Sequence, residues 1–378
     1  MKRLLQDRRS LLLALGSVAL LASLISWGPS EKERMTIAEL TTDMKTVCIG
    51  RYLIDVPKAL EQNNKAVPYS NQFLPAGMDF QEAPRMMLTF DARQKQSLQQ
   101  FQRDMRIMTD SKRVVTTLRP GDIGYPKYRV VDVSERLTEA AFLFRTTNEG
   151  RLPTSSREDV NFELRIWLDG LAVTVSAIAY TPAKQAMTAE HLKKFVQSIK
   201  VYDPTKPNQP GFCAGPLLVQ GRYSREEYAD FFWIDERPDL QLKLELITHG
   251  SGRSSTLLER ANSPKNLLNV FDIGHSTLRK GKLQVAGMAG QELGVRFSGP
   301  DRDGNKRIEH KFMLEVDPPS DPNSQHSQID LSFDTGRQGF REGTPTKGKE
   351  LSSSLTDEEA LGLWDAIVKS IRPRPGAF

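Results

Sequence analysis

The feature that most constrains this chain is a repeat. TVCIGRYLIDVP (Thr46 to Pro57) and GFCAGPLLVQG (Gly211 to Gly221) both hold Cys-x-Gly followed shortly by an apolar pair. Cys48 and Cys213 are the only cysteines in 378 residues. Two further matches follow in the same order. TLRPGDI begins at Thr117, 69 residues after Cys48, and TLRKGKL begins at Thr277, 64 after Cys213. Each half then closes on Thr, an acidic residue, a helical stretch, Ser-Ile-basic and Pro, ending at Pro204 and Pro373. Ordered matches at similar spacing point to internal duplication. The expected domains are 40–205 and 209–376, joined by the Pro-rich linker from Asp203 to Gly211. A Pro-rich polar linker of this kind is a stiff, short spacer.

The closing helices show why they bury. Leu192, Phe195, Val196 and Ile199 follow a helical stripe, and Trp364, Ile367, Val368 and Ile371 repeat it. Thr188 and Thr356 are the expected N-caps, with Glu359 completing a capping box with Thr356. An earlier helix is expected with Leu98, Phe101, Met105 and Met108 on one face. Its counterpart, Leu257 to Phe271, is broken at Ser263-Pro264. Between these the chain reads as strands. Asp169-Gly170 makes a hairpin, with Phe162, Leu164, Ile166 and Leu168 on one face. A turn at Asp301–Gly304 precedes alternating Phe312, Leu314 and Val316, and then Ile329, Leu331 and Phe333. The expected class is α+β: two duplicated domains, each an antiparallel sheet packed by helices on one face, after an N-terminal signal or anchor helix.

The address comes from residues 1–34. MKRLLQDRR is a positive n-region, and Leu11 to Trp27 is 17 residues without a charge. This is a secretory signal, or an uncleaved anchor just long enough to cross a bilayer. Either places the body in the periplasm, free or tethered by residues 11–27. The segment carries +3 of the +5 formal charge, leaving too little elsewhere to argue for nucleic acid. Membrane contact is expected only through this segment. In an oxidising compartment Cys48 and Cys213 are a disulfide candidate. Two separate buried thiols are the alternative.

No catalytic, cofactor-binding or metal-binding constellation stands out. There is no G-x-S-x-G elbow, and the five histidines, at 191, 249, 275, 310 and 326, form no ligand pair. The Asp301-Arg-Asp-Gly-Asn305 stretch fails as a calcium loop, because its twelfth position is Phe312. What remains is two long polar loops, 148–160 and 317–329. Long loops without internal structure are functional or disordered. As a pincer on a stiff linker they would present Asn148, Arg151, Arg157, Asp317, Asn323 and His326 to a partner. Phe231-Phe232-Trp233 reads as alternating burial in a strand.

The GRYLIDVP stretch (Gly50 to Pro57) after an export signal, with Gly211-Phe-Cys213 opening a second half, resembles the two-domain immunity proteins of type VI secretion Tle-type phospholipase effectors, fourth lipase class. The resemblance runs from about Lys45 to Pro373. It departs at Ala214-Gly-Pro216. It implies a binding protein and not an enzyme, needing no cofactor, whose partner is a cognate lipase. Inhibition would come from occluding the active site or holding its lid. An envelope-anchored structural or assembly factor, binding another periplasmic protein, is the alternative. An enzyme with an unfamiliar site is the third reading.

Overall fold

A computed structural model of the protein describes residues 28–62, 65–66, 71–76, 83–111, 113–115, 128–148, 160–179, 181–206, 208–234, 237–248, 252–263, 274–301, 303–319, 326–336 and 350–378. The first half contains α1 (Glu31–Thr42), β1 (Met44–Ile49), β2 (Tyr52–Pro57), β3 (Glu61–Gln62), β4 (Lys65–Ala66), β5 (Asn71–Pro75) and β6 (Met86–Lys95). It continues with α2 (Leu98–Ser111), β7 (Arg113–Val115), β8 (Tyr128–Thr138), β9 (Ala141–Asn148), β10 (Val160–Leu168), β11 (Leu171–Ala179), α3 (Pro182–Ser198) and β12 (Ile199–Val201). The second half contains β13 (Phe212–Ala214), β14 (Leu217–Val219), β15 (Tyr223–Trp233), β16 (Gln241–Thr248) and α4 (Leu257–Ala261). Then come β17 (Gly274–Val285), β18 (Met288–Pro300), β19 (Lys306–Val316), β20 (Ser327–Thr335), α5 (Asp357–Ser370) and β21 (Arg372–Pro373).

All strand pairing between the named strands is antiparallel, and the class is α+β. The halves share one sheet, joined where β5 pairs β15, with Tyr228 opposite Asn71. Outward from that seam the first half runs β5-β6-β11-β10-β9-β8, with β7 beyond. The second runs β15-β16-β20-β19-β18-β17. The order is the same: two strands, then the last, then back to the third. The opening hairpins are exchanged. β1–β2 pairs β21 of the second half, whereas β13–β14 pairs β12 of the first. Each cysteine hairpin is therefore carried by the closing strand of the other half.

Alternation along the strands builds the core. Leu242, Leu244 and Leu246 of β16, Phe312 and Leu314 of β19 and Leu331 and Phe333 of β20 are all buried. The indole of Trp364 on α5 stacks on Phe312 at 5.5 Å between ring centroids. α5 starts as its capping box requires: Thr356 accepts from the Glu359 N–H, and the Glu359 carboxylate accepts from the Thr356 N–H. The hairpin at Asp169-Gly170 turns with both residues at positive φ, 48° and 90°, the type I′ combination that matches strand twist.

Three expectations need correction. α3 is capped by Thr181, not Thr188: Thr181 accepts from the Lys184 N–H, and Pro182 takes the first turn, where its missing N–H costs nothing. Thr188 lies buried within the helix, and Ile199 begins β12 instead of ending the helix. In the first half, helices cover both faces of the sheet. Leu143, Leu164 and Val173 join the main core, while Phe142, Phe144 and Ala172 on the opposite side pack with Phe101 and Met105 of α2. Phe142 and Phe144 of β9 and Trp167 of β10 make the second face apolar beside α2, so it too requires a cover. Helix α4 ends at Ala261, ahead of Ser263-Pro264, where the break is expected. The TLRPGDI stretch, the N-terminal segment 11–27 and residues 264–273 lie outside the described residues. Among the described residues no helix is long and apolar enough to cross a membrane.

Candidate functional site

The two cysteine hairpins meet at the junction of the halves. Gly50 donates its N–H to the Cys213 carbonyl at 2.8 Å, and Cys213 donates to the Gly50 carbonyl at 2.7 Å. Cys48 and Cys213 are joined by a disulfide with Cα atoms 5.8 Å apart. The glycine of each Cys-x-Gly turns its hairpin at positive φ, 57° for Gly50 and 58° for Gly215, a region where only glycine is unstrained. Both also sit against the other half. A Cβ on Gly50 would come 2.5 Å from Leu246 Cδ1, and one on Gly215 would come 2.6 Å from Phe90 Cζ.

Beside this bridge lies a buried ion pair that the sequence reading did not single out. Arg51 grips Glu226 with two bonds, Nε to Oε2 at 3.1 Å and Nη2 to Oε1 at 2.5 Å. Both side chains are almost fully buried. Burial pushes the Glu226 carboxyl up, while Arg51 and the Thr248 hydroxyl pull it back. Arg51 also donates to the Ala377 carbonyl, and Arg374 donates to the carbonyls of Gln209 and Gly211. The Tyr52 hydroxyl accepts from the Ser327 N–H at 3.2 Å and contacts His326 Nδ1 at 3.1 Å. The Phe378 ring lies 4.5 Å from that imidazole. The polar groups of the junction are thus spent on one another. What they supply is a fixed relation between the halves, a form of pre-organisation that favours binding by reducing what must be ordered on contact.

The expected partner residues fall as follows. Asn148 is the last residue of β9, and Asp317 and His326 flank the β19–β20 connection. By strand register, these positions lie at the same end of the sheet. They are not close: seven strand spacings separate β9 from β20, roughly 34 Å along the sheet. Asp317 is exposed and accepts from Arg253, which also holds Glu315 at 3.1 Å. His326 is half-buried against Tyr52 and Phe378. Arg151, Arg157 and Asn323 lie outside the described residues. Phe232 is buried and Phe231 is 40% exposed, beneath Lys243 at 5.8 Å.

One cluster has the composition of a hydrolase relay. His310 Nε2 meets Asp357 at 2.8 Å, and its Nδ1 meets Ser353 Oγ at 3.2 Å and Thr335 Oγ1 at 2.8 Å. The imidazole is fully buried, and the Ser353 hydroxyl also bonds the Leu355 carbonyl and N–H. These bonds tie the start of α5 to β19 and β20. Among the described residues no group of three or more His, Cys, Asp or Glu side chains could hold a metal ion.

Residues 205–376 match the Tle cognate immunity protein 4 C-terminal domain. In fold, the chain is similar to a protein in the crystal structure of the Tle4–Tli4 complex, at a TM-score of 0.61 and 20% identity. That match covers 89% of this chain and 99% of the other. The T6SS immunity protein TplEi from Pseudomonas aeruginosa is also similar, at 20% identity and with the same coverage of both chains. Its TM-scores are 0.59 in complex with "L" peptide and 0.58 in the apo form. A comparison with curated protein sequences returns no match.

Proposed function

We propose that the chain is an immunity protein of the type VI secretion Tle effectors, whose C-terminal domain matches residues 205–376, and that it binds a cognate Tle phospholipase in the periplasm and inhibits it. The observation that carries the proposal is the family match, extended by a fold shared over 89% of the chain with a protein of the Tle4–Tli4 complex. Inhibition would be steric, by covering the active site or holding the lid, with no chemistry performed by the immunity protein itself. The identical strand order of the halves supports reading 40–205 and 209–376 as copies of one unit. Residues 1–34 serve as export signal or anchor. The disulfide at the junction suits an oxidising compartment. We place the partner surface at the sheet end that carries Asn148, Asp317 and His326; Arg151, Arg157 and Asn323 complete the proposed set and lie outside the described residues.

The test is to mix the protein with the phospholipase encoded beside it, following complex formation by calorimetry and phospholipid hydrolysis in parallel. The expected result is a near-stoichiometric complex with hydrolysis abolished. No binding at micromolar concentration, by this and by related lipases, would overturn the assignment and favour an envelope assembly factor.

A further inference from the structure

The sheet ends at β17, and among the described residues no strand pairs with its outer edge. This edge is long, twelve residues, and its side chains are exposed along most of its length. Such an edge offers a row of backbone donors and acceptors to an incoming strand. Two cavities flank it, one on each face. On the α5 face, a cavity of about 400 Å³ is floored by Leu283, Val285, Val368 and Ile371, with Arg279 and Asp365 at its side. On the α4 face, a cavity of about 240 Å³ is lined by Leu257, Lys282, Gln284 and Gly290.

Charge narrows the choice of occupant. Arg279, Lys280 and Lys282 are consecutive cations along β17, interrupted only by Gly281. Arg279 is paired with Asp365 at 2.9 Å, and Lys280 bonds the Asn262 side chain, but Lys282 has no ion-pair partner among the described residues. A second copy of the chain, paired edge to edge, would bring like charges together, which disfavours self-pairing. An acidic strand would meet opposite charges instead. Strand addition takes its affinity from main-chain bonds and its specificity from pockets for alternate side chains.

We infer that β17 receives an extended segment of the effector, added as a further strand. Its acidic side chains face Lys280 and Lys282, and an apolar side chain enters the cavity on the α5 face. This rests on the immunity reading above. It adds a contact at the outer edge of the second half to the partner surface proposed at the sheet end.

Hydrogen exchange on the full chain, alone and mixed with the phospholipase encoded beside it, tests the inference. In the complex, amides of Gly274–Val285 should exchange at least tenfold more slowly. The double variant Lys280→Glu/Lys282→Glu should bind at least tenfold more weakly, with an unchanged unfolding midpoint. A complex that leaves β17 exchange and the double variant's affinity unchanged overturns the strand addition and spares the immunity reading. Protection of β17 that rises with protein concentration in the absence of effector assigns the edge to a second copy and overturns the inference. Absence of any complex removes both.

Discussion

At the residue scale, the buried pair of Arg51 and Glu226 decides most. The two side chains come from opposite halves and are 175 positions apart in sequence. A buried pair is weak evidence of net stabilisation, yet removing one partner leaves a charge in a medium that cannot solvate it, at a cost of roughly 3–5 kcal/mol. Glu226→Gln should therefore lower the unfolding free energy by about that amount, read as a shift in urea midpoint at neutral pH. A midpoint within error of the parent would mean that water reaches Arg51 and that the junction is looser than described. Neither residue was singled out from sequence. Arg51 directly follows the repeated Cys-x-Gly, and Glu226 sits at an inward position of an alternating strand. A carboxylate at an apolar position was the available signal, but its partner could not be named without the fold.

At the element scale, α5 is the best case of local legibility. Its stripe, its capping box and the proline after it are all sequence signals, and the helix runs Asp357–Ser370 as they require. The attachment of its start through His310 was not legible. A lone histidine inside an alternating strand reads as a surface or core residue. Only the fold brings Thr335, Ser353 and Asp357 around it. Burial holds this imidazole below its ordinary value, with Asp357 opposing. The unfolded chain therefore binds the proton more readily. The contribution of His310 to stability is present above the ordinary imidazole value near 6.5 and is lost as pH falls below it toward the depressed folded value. Unfolding midpoints measured between pH 7.5 and 5 should fall more steeply for the parent than for His310→Gln. Parallel curves would mean that His310 titrates alike in both states. The other closing helix, α3, shows how a cap is misplaced from sequence. Thr188 and Thr181 both precede good helix formers, and the Pro that follows Thr181 is the stronger signal.

At the scale of the whole molecule, the halves are fastened by exchange. Each opening hairpin is paired with the closing strand of the other half, and the disulfide spans 165 residues of sequence between them. A covalent link closing so long a loop restricts the unfolded chain, and its removal costs ~2–5 kcal/mol. The variant Cys48→Ser/Cys213→Ser should show a urea midpoint lowered to that extent, with the sheet intact by circular dichroism. An unchanged midpoint would mean that the exchanged hairpins and the Arg51–Glu226 pair fix the junction without it. A rigid junction also matters for binding, because surfaces held in register lose little freedom on contact with a partner.

The sequence by itself determined the α+β class, the hairpin at Asp169-Gly170, the register of Phe312, Leu314 and Val316, and the start and stop of α5. These are local quantities, set by side-chain period, turn chemistry and caps within a few residues. The Cys-x-Gly repeat pointed to a shared role, and each glycine turns a hairpin. Which strands those hairpins pair with, which carboxylate neutralises Arg51, and that both faces of the first half's sheet are covered were decided only by the tertiary structure. Pairing partners far apart in sequence are chosen by the summed burial of many residues at once, and no short window of sequence contains that sum.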